Sequence, residues 1–311
     1  MAYSLDYINR RVKEDPQGFV DESDALYNKR ISLAADRIQE NMARSPIVLL
    51  SGPSGSGKTT TAHKVNEELE RRGIRAHTVS MDNYFKTLNQ KTCPRTTEGE
   101  IDFESPRLMD MDLLNEHFAD LAKGREIRIP YFLFTYQRRS VTQFKRMRLK
   151  ENEIAIFEGI HALNDDITEK TPDAFKLYIS AASDVEHGEE IIYRREWMRL
   201  IRRIVRDNNF RGADAVFTLT TWPNVLRGEV SYINPFVDKA DLLLDSSLPY
   251  EVPVIKQFAL PLLEAISDGR ERFEVVRDVI PALKYFADLG EQFIKPESLL
   301  REFIGGGVYE Y

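Results

Sequence analysis

The chain has 311 residues, 42% of them hydrophobic and 30% charged, which suits a soluble globular protein able to bury the core of one large domain or two small ones. A net charge of −7 argues against a general nucleic-acid binder, and a single cysteine, Cys93, excludes an internal disulfide framework and suits a reducing, cytoplasmic setting. No apolar run approaches the roughly 18 residues of a membrane span, and the N-terminus lacks the basic-then-apolar pattern of a secretion signal.

Residues 1–22 are polar and mixed in charge, and Pro16 and Gly18 are expected to break any long helix there. Ser23 reads as the cap of a helix over 24–43, with Leu26, Leu33, Ile38 and Met42 as an apolar stripe and Ile31 and Ala34 beside it. Ser45-Pro46 leads into a short apolar run over 47–50, a buried parallel strand. Directly after it stands Gly52-Pro53-Ser54-Gly55-Ser56-Gly57-Lys58-Thr59, which fits G-x-x-x-x-G-K-[ST], the phosphate loop of ATP- and GTP-using proteins. The glycines let backbone N–H groups turn inward around phosphate oxygens, Lys58 reaches the β- and γ-phosphates, and the Thr59 hydroxyl ligates Mg²⁺. A helix over 60–72, stopped by Gly73, aims its N-terminus at those phosphates. Gly52, Ser54, Gly55, Ser56, Gly57, Lys58, Thr59 and Thr60 are therefore the expected ATP-binding residues of the loop.

A second strand over 75–81 ends at Asp82-Asn83-Tyr84-Phe85, placing an acid on the ligand-binding edge of a parallel sheet. Residues 86–107 read as an irregular binding loop containing Ile101-Asp102-Phe103-Glu104, followed by a helix over 109–122. The stretch 127–134 is apolar and aromatic, then turns basic at Arg138 and Arg139, as a hairpin or a flap would. Strands are expected at 154–157, ending in Glu158-Gly159, at 175–179 and at 240–244. Between them, 189–205 has helical spacing, with Arg195, Arg199, Arg202 and Arg206 on one face and Trp197, Ile201, Ile204 and Val205 on another, and a break over 207–212. The C-terminal part reads as helices over 252–266, 270–287 and 297–304, kinked or divided at Pro261 and Pro281. Strands alternating with helices imply an α/β fold: a phosphate-loop parallel sheet flanked by helices, with an arginine-rich lid and helical terminal extensions. The expected organisation is an extension over 1–44, a core over 45–266 and a second extension over 267–311 packed on the core.

Phosphoryl transfer needs positioning and charge compensation more than covalent chemistry. Asp82 is the candidate general base, and Glu158 with Thr59 the candidate metal site. The arginine helix supplies a lid through Arg203, Arg206 and Arg211, its members nearest the break, with Arg206 acting on the transferring group. Arg195 and Arg199 read as a solvated face. A nucleotide-dependent switch is the competing class. Its guanine motif N-K-x-D finds only Asp238-Lys239-Ala240-Asp241, with Asp in place of Asn.

The stretch 52–60, with Ser80-Met81-Asp82-Asn83-Tyr84-Phe85, Phe157-Glu158-Gly159-Ile160 and Arg202-Arg203-Ile204-Val205-Arg206-Asp207, resembles the uridine kinase/phosphoribulokinase family. Asn234-Pro235 and Lys239-Ala240-Asp241 resemble its approach to the last strand. Leu248-Pro249-Tyr250-Glu251 and Leu300-Arg301-Glu302-Phe303-Ile304-Gly305-Gly306 resemble the carboxyl ends of bacterial uridine kinase-like nucleoside kinases. The resemblance implies ATP- and Mg²⁺-dependent phosphorylation of a hydroxyl, in uridine kinases the ribose 5′-OH. It implies Asp82 as general base, Lys58 and Arg206 as its catalytic partners, Thr59 and Glu158 as metal positions, and Arg203 and Arg211 at the nucleotide. Tyr84, Phe103, Glu104 and Arg203 fall on the acceptor side. The Tyr and His that read the pyrimidine in uridine kinases fall at Phe132 and Gln137, and Ala213 stands where the family has a further lid arginine. The acceptor is therefore open between a nucleoside, a sugar phosphate held by Arg107, Arg138 and Arg139, and a pantothenate-like alcohol. The partners expected are a nucleotide and a small molecule, with self-association left open.

Overall fold

In the computed structural model, which describes residues 2–266 and 273–309, the N-terminal stretch is more helical than its proline and glycine suggest. A short strand β1 (Ala2–Ser4) and helix α1 (Leu5–Glu14) lead into a long α2 (Pro16–Asn41). Pro16 sits in the first turn of α2, where a missing N–H costs nothing, and the Asp15 carboxylate accepts from the Gly18 N–H at 3.0 Å. Ser23 is thus not a cap: it lies inside α2 and donates its hydroxyl to the Phe19 carbonyl at 2.7 Å. The stripe is rotated accordingly. Leu26 and Leu33 are exposed, and Tyr27, Ile31, Ala34, Ala35 and Ile38 are buried.

The chain then alternates as the pattern required: β2 (Ile47–Ser51), α3 (Lys58–Arg71), β3 (Arg75–Ser80), α4 (Met111–Ala122), the hairpin β4 (Ile127–Leu133) and β5 (Arg138–Met147), β6 (Glu153–Glu158), α5 (Asp165–Thr168) and β7 (Phe175–Ser180). After a second hairpin, β8 (Asp184–His187) and β9 (Glu190–Tyr193), come α6 (Arg195–Phe210), α7 (Ala215–Tyr232), β10 (Leu242–Asp245), α8 (Glu251–Glu264), α9 (Glu274–Lys284) and α10 (Arg301–Ile304). Five strands form an all-parallel sheet in the order β10-β7-β2-β6-β3. Every residue of central β2 is buried because helices cover both faces. Alternate side chains serve opposite faces. Val48, Leu50, Ile154 and Ile156 join the large core under α2, α3, α6 and α8, and Ile47, Leu49, Ala155 and Phe157 join the smaller one under α4.

Several expectations are corrected. The segment 190–193 is a strand, not helix, because β9 pairs with β8 and, through it, with β1 in a small separate sheet. The arginine helix starts at Arg195 and runs on into the expected break, ending at Phe210. Helix α7 was not expected at all. Pro261 and Pro281 lie near the C-terminal ends of α8 and α9 and divide neither, since buried Ala259, Leu263, Val279 and Leu283 hold those turns on the core. Only 301–304 of the expected helix over 297–304 is helical. The expected helical start at 270–272 lies outside the described residues.

Candidate active site

The loop from β2 to α3 folds into a cradle because two of its glycines take left-handed backbone angles, φ +76° at Gly55 and +82° at Gly57. Close neighbours exclude a side chain there as well: a Cβ would come within 2.8 Å of the Arg199 carbonyl at Gly55 and 2.7 Å of the Leu299 side chain at Gly57. The loop is braced from outside. Arg202 donates to the Gly55 carbonyl at 3.1 Å, Ser246 to the Ser56 carbonyl at 2.6 Å, and Arg203 to the Ser54 hydroxyl at 3.0 Å. Lys58 Nζ rests on the Pro53 carbonyl at 3.1 Å. The buried Ser56 hydroxyl has no hydrogen-bond partner among the described residues.

Lys58, Thr59, Asp82, Glu158, Arg206, Arg211 and Glu302 line one cleft beside this loop. The sheet explains the pairing of acids: β3 and β6 are neighbours with Ser80 opposite Glu158, so Asp82 and Glu158 leave adjacent strand ends together. Burial, reinforced by Asp82, pushes the Glu158 carboxyl up to about 7 against the pull of Lys58. Burial lowers the Lys58 ammonium, opposed first by Glu158 and then by Asp82. Protein mass around Asp82 pushes its carboxyl up, opposed by Lys58 and Arg211, and the water reaching this exposed residue limits that push. The Thr59 hydroxyl and the Glu158 carboxylate, which line the same cleft, make a pair of oxygen donors suited to Mg²⁺ bound with a nucleotide. Among the described residues no group of three or more His, Cys, Asp or Glu could hold a metal, so phosphate oxygens and water would complete its shell.

The arginines of α6 are not short of partners. Arg199, expected on a solvated face, is buried and pairs with Glu229 at 2.7 Å, whereas Arg195 is exposed. Arg202 is fully buried and holds Glu251 through two bonds of 2.5 and 2.6 Å. Arg203, Arg206 and Arg211 gather around one buried carboxylate, Asp207, at 3.2, 2.8 and 3.7 Å. These partners come from α7, from α8 and from α6 itself, so counting nearby acids in the sequence could not find all of them.

On the acceptor side, α7 holds the 102–104 segment. Arg227 and Tyr232 bond the buried Asp102 at 2.7 and 2.8 Å, and Gly228 leaves room for Glu104, since a Cβ there would lie 2.3 Å from the Glu104 Cβ. Burial pushes Glu104 up to about 7, opposed by Arg203. Phe103 and Phe132 line a pocket with Phe85, Leu88, Leu108 and Phe134, where Lys86 and Gln137 are the polar members. Gln137 sits at the hairpin bend with φ +48°. Tyr84, expected at the acceptor, is instead fully buried with its hydroxyl 2.8 Å from His117 Nδ1. Arg139 is engaged by Asp110 and the Tyr84 carbonyl, both at 2.9 Å, and Arg138 lies over the Tyr136 ring. Neither they nor Arg107 line the pocket. Asp102, Arg227, Tyr232 and Glu302 were not among the expected site residues.

A glycine cradle at the mouth of a helix, after the central strand of a parallel sheet and facing acids on neighbouring strands, is the architecture of the phosphate-loop nucleotide-binding proteins. Within that class, residues 47–251 match the phosphoribulokinase / uridine kinase family, and the chain belongs to it. It is 31% identical over 198 residues to a uridine kinase of Schizosaccharomyces pombe, a match covering 61% of this chain and 39% of that protein. It is 27% identical over 204 residues to a uridine kinase of Staphylococcus haemolyticus, covering 65% of this chain and 88% of that one. In fold it is similar to a kinase assigned to a fructose transport system of Silicibacter sp. TM1040, with a TM-score of 0.50 and 17% identity, over 68% of this chain and 98% of the other. No helix among the described residues is long and apolar enough to cross a membrane.

Proposed function

We propose that the protein transfers the terminal phosphoryl group of ATP to an alcohol, and that the acceptor is a nucleoside phosphorylated at its 5′-hydroxyl. The observation that carries this is the place of Asp82. It faces the same cleft as Lys58 and Glu158, and among the described residues no hydrogen bond ties up its carboxylate. A carboxylate there can take the proton of an attacking hydroxyl. Lys58 and the backbone donors of the loop hold the phosphates, and Arg206 and Arg211 compensate charge on the transferring group. Thr59 and Glu158 would hold Mg²⁺, which when bound neutralises phosphate charge. Glu104 and the aromatic pocket would hold the acceptor.

Both relatives above are uridine kinases, which favours a nucleoside. The pocket that would take its base is apolar, with Phe132 and Gln137 where a phenol and an imidazole are expected. Among the described residues Lys86 is the one cation lining it, and Arg107, Arg138 and Arg139, the arginines proposed for a sugar phosphate, do not. The test is an ATP-consumption screen across nucleosides, sugar phosphates and pantothenate. Turnover with a nucleoside is the expected result, and turnover with a sugar phosphate alone overturns the nucleoside assignment. ATP hydrolysis that no acceptor stimulates would return the protein to the switch class.

A further inference from the structure

The donor cleft contains a carboxylate that phosphoryl transfer does not call for. Glu302, from the C-terminal helix α10, is buried, and its Oε2 accepts from both the Thr60 hydroxyl at 2.6 Å and the Thr60 N–H at 3.2 Å. Thr60 is the third residue of α3, so its N–H points out of the helix start towards the side from which a phosphate would be held. One carboxylate oxygen therefore occupies the two donors that a phosphate oxygen would use.

The segment carrying Glu302 is fitted to the loop. Leu299 is fully buried against Gly57, and Phe303 lies under the Arg202 guanidinium at 5.1 Å. Further along, Tyr309 stacks on His63 of α3 with ring centres 5.1 Å apart. Charge points the same way. Lys58, Arg206 and Arg211 share the cleft with Asp82, Glu158 and Glu302, three cations against three acids before any nucleotide enters. A triphosphate brings several further negative charges against a buried carboxylate, and like charges a few ångströms apart repel strongly in such surroundings.

We propose that Glu302 is an internal occupant of the donor phosphate site, which the incoming nucleotide must displace, so that the segment 299–304 moves with donor occupancy. This rests on the cleft being a nucleotide site. Removing the charge while keeping an acceptor oxygen, as in Glu302→Gln, lowers the cost of displacement.

The experiment compares ATP and ADP binding, with Mg²⁺, by calorimetry in the full-length native protein, Glu302→Gln and Lys58→Ala. It adds amide hydrogen exchange of 299–304 in the native protein with and without nucleotide. The expected results are binding at least about fivefold tighter in Glu302→Gln, and faster exchange in 299–304 when nucleotide is bound. Unchanged or weaker binding by a folded Glu302→Gln protein, or slower exchange in 299–304 on nucleotide addition, overturns the proposal. If Glu302→Gln does not fold, the exchange measurement on the native protein decides alone. Binding that depends on Lys58 but fails these criteria removes only the role of Glu302. A native protein that binds no nucleotide removes the kinase assignment with it.

Discussion

The cleft beside the phosphate loop, the proposed donor half of the site, and the aromatic pocket, its proposed acceptor half, are built on different principles. The donor half is polar and cross-braced: a glycine loop from one part of the chain is bonded by Arg202, Arg203 and Ser246 from far along it. The acceptor half is an aromatic pocket assembled from the 85–108 segment and the β4–β5 hairpin, with Lys86 and Gln137 as its polar members. Backbone donors and charges accept any triphosphate tail in one geometry. An apolar pocket discriminates by shape and by little else. On the proposed function, the donor half sets the reaction and the acceptor half sets the substrate.

Four tests would break or sharpen that division. The largest effect is expected from Asp82→Asn, which keeps the shape and cannot take a proton. Turnover should fall by about 10²–10⁴-fold while ATP binds as before, and steady-state rates beside calorimetry check this. Near-normal turnover would remove Asp82 from the chemistry. Next, Arg202→Met leaves Glu251 buried without its partner and should cost about 3–5 kcal/mol of unfolding free energy. Denaturant titration measures it, and a loss under about 1 kcal/mol would mean that the brace behind the loop is dispensable.

Third, each half holds one carboxyl raised to about 7 by burial, Glu158 on the donor side and Glu104 on the acceptor side. A raised carboxyl contributes stability that is fully present below its unfolded value, near 4.5, and is lost as pH rises through about 7. The metal-free protein should therefore lose stability across that window. Glu158→Gln and Glu104→Gln should each flatten the loss in thermal unfolding followed against pH, and the two halves should part in one respect: only Glu158→Gln should raise the Mg²⁺ concentration needed for half-maximal activity. Identical metal responses would contradict the assignment of Glu158. The smallest effect is on the acceptor side. Phe134→Ala should raise KM for the acceptor about tenfold, by loss of apolar contact, with KM for ATP unchanged. A matching rise in both constants would show that the halves are not separable.

The phosphate-loop cleft was legible in its layout because its motif is contiguous. Eight positions in a row between an apolar run and a helix fold as a strand, a glycine loop and a helix. The places of Asp82 and Glu158 at the edge of the sheet were legible because each follows or ends an apolar strand. What stayed hidden depends on distance along the chain or on an ambiguous period. Glu251 and Glu302 act on a loop about two hundred residues away, and nothing local marks them. Helix α7 escaped because Thr218, Thr220, Thr221 and Pro223 dilute its apolar pattern, although Asp214 caps it through the Phe217 N–H at 2.7 Å. Segment 190–193 looked helical because it adjoins a true helix, and a four-residue strand carries too little alternation to announce itself. Tyr84 was misplaced because a motif gives a residue's neighbours and not its direction: its phenol turns inward to His117.

The wall of the phosphate loop is completed by Arg199, Arg202, Ser246 and Leu299, residues that leave the ribosome long after the loop itself. A nascent chain carrying only the first half has the full G-x-x-x-x-G-K-T signature and nothing to hold it closed. Contacts of such large sequence separation form late in folding. Nucleotide in the cell would then stabilise only the finished molecule, drawing the last steps of its maturation forward by mass action.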